Sequence, residues 1–179
     1  TSDTLAALRE AKRLGSRTLA VTNVVGSSIA READQVVYTY AGPEIAVAST
    51  KAYTAQIAVE AILAKKLGEE RGIEAAKDFD IHLELAKVAN AMQTMVDEKH
   101  EIEELTEKNL KTTRNAFYIG RSIDYDTAIE AALKLKETSA IQAEAFSSAE
   151  VRHGPMALID HDYPLLVFAP RGAEQGGLL

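Results

Sequence analysis

Lys134 and Glu137, in the run Leu133-Lys134-Leu135-Lys136-Glu137, stand three residues apart and would be neighbours on one side of a helix. Such a pair is an ordinary surface ion pair. It is equally the arrangement in which a carboxylate facing a pocket moves a proton while a lysine tunes its charge. Arg152-His153-Gly154-Pro155 reads as a loop, because Gly and Pro together interrupt regular structure and leave the imidazole free to project. An imidazole can give or take a proton around neutrality. His82 and His100 lie in a polar helical stretch and His161 in a charged turn, so all three read as surface residues.

A second group of residues suits binding. Gly42-Pro43-Glu44 leads from a strand ending near Tyr40 into Val47, Ala48, Ser49, Thr50 and Lys51, and a helix follows. In parallel α/β folds ligands lie beyond the carboxyl ends of strands, where loop amides and helix N-termini meet them. Ser49 and Thr50 there suit a sugar hydroxyl or a phosphate, or act simply as helix caps. Thr1, just before a helix start, and Gly26-Ser27-Ser28 carry the same two readings. There is no HExxH or Cys/His cluster for a metal and no GxGxxG or GxxxxGK[ST] for a nucleotide, so no cofactor is expected.

These residues need elements to position them. Leu5, Leu8, Ala11 and Leu14 follow Ser2 and Asp3 at helical spacing and predict a helix over 3–14. Residues 18–22 and 36–40 read as strands covered on both faces, with a short helix between them. Residues 54–67 read as a helix that Gly68 could end. Residues 80–111 contain no Pro or Gly, and Leu85, Val88, Met92, Met95, Ile102 and Leu105 alternate by threes and fours. That pattern predicts one bent helix or a helical pair packed on neighbours. Strand signals return at 115–119 and 164–169, with a helix over 125–138. The rhythm is that of parallel α/β units in two regions, divided as 1–75, 76–112 and 113–179.

Composition narrows the function classes. With 46% apolar and 26% charged residues the chain is globular. A net charge of −7 with scattered basic residues argues against a nucleic-acid partner. The absence of cysteine removes disulfides and thiolate catalysis and points to a reducing compartment, the cytoplasm. No apolar run reaches membrane-spanning length, so no membrane partner is expected. Both ends read as cut, which implies a piece of a longer protein.

TSDTLAALREAK, NVVGSSIARE, GPEIAVASTKAYT, ALKLKE and the RHGP turn, in this order, resemble the isomerase portion of the glucosamine-6-phosphate synthase family. The resemblance implies two tandem sugar isomerase (SIS) domains, each a three-layer parallel sheet with flanking helices, both truncated here. It implies conversion of fructose 6-phosphate and ammonia to glucosamine 6-phosphate, with ammonia from an upstream glutaminase domain. Thr1 matches the last residue of the family's phosphate loop, while Val47 and Ser49 match its sugar-contacting loop. Glu137 matches the carboxylate that moves the proton between C1 and C2, and Lys134 a neighbouring site lysine. His153 matches the histidine of ring opening, supplied across a homodimer interface. The family's Schiff-base lysine would lie beyond Leu179. QAEAFSSAEVRHGPMALID and FAPRGAEQGGLL look closer to the related SIS-type glucosamine-6-phosphate deaminases, which leaves the direction of reaction open, and a non-catalytic SIS sugar-phosphate sensor is the third reading.

Overall fold

The computed structural model describes residues 2–169, which fall into two compact units divided between residues 94 and 95. Thr1 and the final segment from residue 170 lie outside the described residues.

In the first unit, α1 (Ser2–Arg13) precedes β1 (Leu19–Thr22), α2 (Ser28–Glu32) and β2 (Gln35–Tyr38). The strands pair in parallel from Leu19 opposite Gln35 to Thr22 opposite Tyr38. Parallel neighbours need a crossover, and residues 23–34 with their single helical turn supply it. Salt links fix α1 beside this crossover. Arg9 makes a two-pronged bond to Glu32, at 2.7 and 2.6 Å, and Lys12 reaches Asp34 at 2.8 Å. Strand β2 stops two residues short of its expected end, and Tyr40 takes a positive φ of 50° as the chain leaves the sheet.

Helix α3 (Lys51–Glu70) starts earlier than periodicity suggests and runs through Gly68 rather than ending there. A β-carbon on Gly68 would lie 2.6 Å from the Ala76 β-carbon in α4 (Glu74–Asp78), so this glycine permits close approach of two helices. The Pro- and Gly-free stretch forms two helices, α5 (Ile81–Asp97) and α6 (Lys99–Leu110), separated at Glu98. Along their apolar stripe Leu85 is half-buried, while Val88, Met92, Met95, Ile102 and Leu105 are 43% exposed or more. Among the described residues, no helix is long and apolar enough to cross a membrane.

The second unit contains β3 (Asn115–Gly120), α7 (Ile123–Ser139), β4 (Gln142–Ser147) and β5 (Leu165–Val167), in the parallel order β4-β3-β5. Strand β3 is central and buried from Ala116 to Gly120. Helix α7 lies against it through small residues: Ala128, Ala132 and Ala143 form a cluster with Tyr118, flanked by Leu135, Leu166 and Phe168. Alanine at the contact brings helix and sheet close together. The turn into α7 is equally tight, because a β-carbon on Gly120 would meet the Asp124 carbonyl oxygen at 2.2 Å. On the opposite face Phe117 packs edge-on to Phe146 and against Tyr163, with ring centroids 4.9 and 4.7 Å apart.

Candidate functional site

The loop joining β2 to α3, residues 39–50, is held at both ends by side chains. At its start Asn23, the residue following β1, accepts the Ala41 N–H at 2.8 Å and the Thr39 hydroxyl at 3.1 Å, and donates to the Gly42 carbonyl at 2.6 Å. A single amide thus fixes the relation between the two strand ends. Sequence reasoning missed Asn23; the available signal was an amide directly after a strand, where side-chain bonding to nearby backbone is favourable.

At the far end of the loop, Glu44 Oε1 accepts the Ala52 N–H at 2.9 Å and the Ser49 hydroxyl at 3.3 Å. Ala52 is the second residue of α3, so Glu44 does the capping that Ser49 and Thr50 could have done. Ala48 is buried and anchors the loop, while Val47 is 95% exposed and Ser49 also faces solvent. The two residues expected to meet a sugar are therefore presented outward from a fixed loop at the carboxyl end of a parallel sheet.

In the second unit the Lys134 ammonium bridges two carboxylates of α7, Glu137 at 2.7 Å and Glu130 at 3.3 Å. All three side chains are between 22% and 29% exposed, which is more enclosure than an ordinary surface pair has. The bond to Glu137, assisted by Glu130, raises the Lys134 pKa above its ordinary value and keeps the ammonium charged. Glu130 was not anticipated, although its four-residue spacing from Lys134 is itself a helical pairing signal.

His153 closes a 3-10 turn, Glu150–His153, and a second, Pro155–Leu158, begins after Gly154. The expected open loop is thus two short turns meeting at a glycine, with Pro155 at a helical first position, where its missing N–H costs nothing. These turns carry the chain from β4 across the sheet face opposite α7, where Leu158, Asp160 and Tyr163 line a cavity of about 330 Å³ with Phe117 and Glu144. Lys134 and Glu137 are brought together on α7, and His153 lies in the turn that follows β4. Neither this cavity nor one of about 550 Å³ beside Lys65, Lys77 and His82 in the first unit is lined by an expected site residue. Thr1 lies outside the described residues, and the described residues contain no cluster of His, Asp or Glu fit to hold a metal ion.

Comparison with known proteins places this geometry. The SIS domain family model matches residues 1–66 and 109–175. A glutamine–fructose-6-phosphate aminotransferase (isomerizing) of Listeria monocytogenes is 56% identical over 166 residues, which cover 93% of this chain and 28% of that protein. This chain therefore spans little more than a quarter of the curated relatives it matches. Among solved structures, the C-terminal domain of glucosamine-fructose-6-phosphate aminotransferase from Francisella tularensis aligns with a TM-score of 0.80 at 33% identity, over 98% of this chain and 50% of that one. A glucosamine-6-phosphate deaminase from Thermotoga maritima aligns with a TM-score of 0.69 at 22% identity, over 96% of this chain and 50% of that one, a likeness of fold alone.

Proposed function

We propose, for a chain that belongs to the SIS-domain family, that it is the isomerase portion of a glutamine–fructose-6-phosphate aminotransferase. The intact enzyme joins ammonia to fructose 6-phosphate and isomerises the product to glucosamine 6-phosphate. The observation that carries this reading is the 56% identity to an aminotransferase of that name along 93% of the chain. The partly enclosed Lys134 and Glu137 pair supports it from geometry.

In this reading Glu137 takes the proton from C1 of the open-chain ketose imine and returns it at C2, which converts the ketose skeleton into a 2-amino aldose. Lys134 holds that carboxylate in place by a 2.7 Å bond. Val47 and Ser49 meet the sugar, Thr1 contributes to its phosphate site, and His153 assists ring opening. His153 comes from a second copy of the chain, as the family resemblance implies, so the working form is a homodimer. A glutaminase domain elsewhere in the longer protein supplies ammonia, no cofactor takes part, and the setting is the cytoplasm. The chain divides as residues 1–75 and 113–179 from two SIS domains, with 76–112 between them.

In the full-length protein, Glu137→Gln should abolish formation of glucosamine 6-phosphate while calorimetric binding of fructose 6-phosphate persists. Turnover retained above about one part in a hundred would remove Glu137 from the role, since general base catalysis contributes roughly 10²–10⁴-fold. Ammonia release from glucosamine 6-phosphate, without any glutamine-dependent synthesis, would instead assign the deaminase direction.

A further inference from the structure

We propose that Glu44 sets the polarity of the sugar-contacting loop, making Ser49 an acceptor for a sugar hydroxyl and closing the N-terminus of α3 to phosphate. The inference rests on the function proposed above and concerns which part of the substrate this loop can recognise.

A serine hydroxyl has one proton and two lone pairs. Glu44 Oε1 lies 3.3 Å from Ser49 Oγ, and an ionised carboxylate can only accept, so the hydroxyl must donate to it. What Ser49 then offers outward is lone pairs, which suit an O–H donor and repel a phosphate oxygen. The same Oε1 takes the Ala52 N–H at 2.9 Å. A helix of twenty residues attracts anions to its first amides, and here a carboxylate already occupies that position. Both sequence readings of this loop, hydroxyl site and phosphate site, were chemically open; the position of Glu44 selects the hydroxyl. The phosphate must be held elsewhere in the substrate site.

Glu44 is thus a positioning residue acting through Ser49, and its neighbours make the idea testable. In the full-length protein, Glu44→Ala and Ser49→Ala should each raise the KM for fructose 6-phosphate about tenfold, the loss of roughly one hydrogen bond, with kcat within about twofold. The double variant should be no worse than either single one, because both remove the same interaction. Glu44→Gln, whose carbonyl oxygen can accept both bonds, should bring KM back to within about threefold of wild type. Ser49→Ala should leave competitive inhibition by inorganic phosphate unchanged. Additive effects of the two alanine variants would overturn the proposal, as would a KM unchanged in Glu44→Ala despite a lowered Tm, which marks a cap only. A loss of phosphate inhibition in Ser49→Ala matching its rise in KM would overturn it too. Should Glu44→Ala fail to fold, Ser49→Ala decides alone, and a wild-type KM there overturns the proposal. A wild-type enzyme inactive on fructose 6-phosphate would instead remove the functional reading on which the proposal depends.

Discussion

Lys134 is the residue on which two carboxylates depend. Glu130 and Glu137 both approach its ammonium, so they stand within about 6 Å of one another, close enough for like charges to repel. Replacing Lys134 by Met removes the neutralising charge and keeps most of the apolar stem. The carboxylates then repel one another with no cation between them, and Glu137 loses the 2.7 Å bond that fixes its position. Under the role proposed for Glu137, Lys134→Met in the full-length protein should lower kcat for glucosamine 6-phosphate formation about tenfold, with the KM for fructose 6-phosphate within about threefold. A wild-type kcat in that variant would mean that the ammonium does not hold Glu137 in its working position. The sequence showed this pair through its spacing but not Glu130, because residue types alone do not tell which of several acids on a helix turns toward the lysine.

At the scale of elements, Asp34 ties α1 and the crossover to the sheet. Its carboxylate accepts from the Lys12 ammonium at 2.8 Å and from both the N–H and the hydroxyl of Thr18, each at 2.8 Å. Led by the Lys12 bond, these hold the Asp34 pKa at about 2, below its ordinary 3.8. The stabilisation from a lowered carboxylate pKa is complete above the unfolded value and is lost as pH falls toward the folded one. Asp34→Asn should therefore lower the denaturant midpoint at pH 7, and the gap from wild type should narrow between about pH 4 and pH 2. A gap independent of pH would mean that the charge plays no part. Most elements were legible from hydrophobic period, since α1, α3, β1 and β3 carry regular apolar spacing. Strand β4 was not: Gln142-Ala143-Glu144-Ala145 has low β propensity, and the residues are extended because Ala143 and Ala145 fit beneath α7. Helix α4 was missed for the complementary reason, being a single short turn placed by Gly68. The loop of residues 39–50 was legible in location but not in its internal bonding, because the bonds of Asn23 and Glu44 join residues up to nineteen positions apart.

For the whole molecule, the decisive quantity is how little of its apolar content is fully enclosed. Among the described residues, the buried apolar side chains are twelve, and half of them are alanine. Among the described residues, no large side chain is less than 2% exposed. A buried methyl contributes only about 0.8 kcal/mol, against about 1–2 kcal/mol of backbone entropy for each residue ordered. Meanwhile Ile45 and Val47, at 91% and 95% exposure, and the apolar faces of α5 and α6 remain open to water. Exposed faces of this kind mark surfaces that a larger assembly covers. The 179-residue chain produced by itself should consequently bind a hydrophobic dye strongly and elute as broad species larger than its 19.4 kDa mass, with a weakly cooperative melt. The full-length protein should show little dye binding and one sharp elution peak. Placing lysine at Met92 and Met95 should reduce association of the isolated chain by at least half in light scattering, since these two residues lie on the exposed stripe of α5. A sharp monomer peak with no dye binding in the unmodified 179-residue chain would show that this small alanine-rich core suffices without a covering partner.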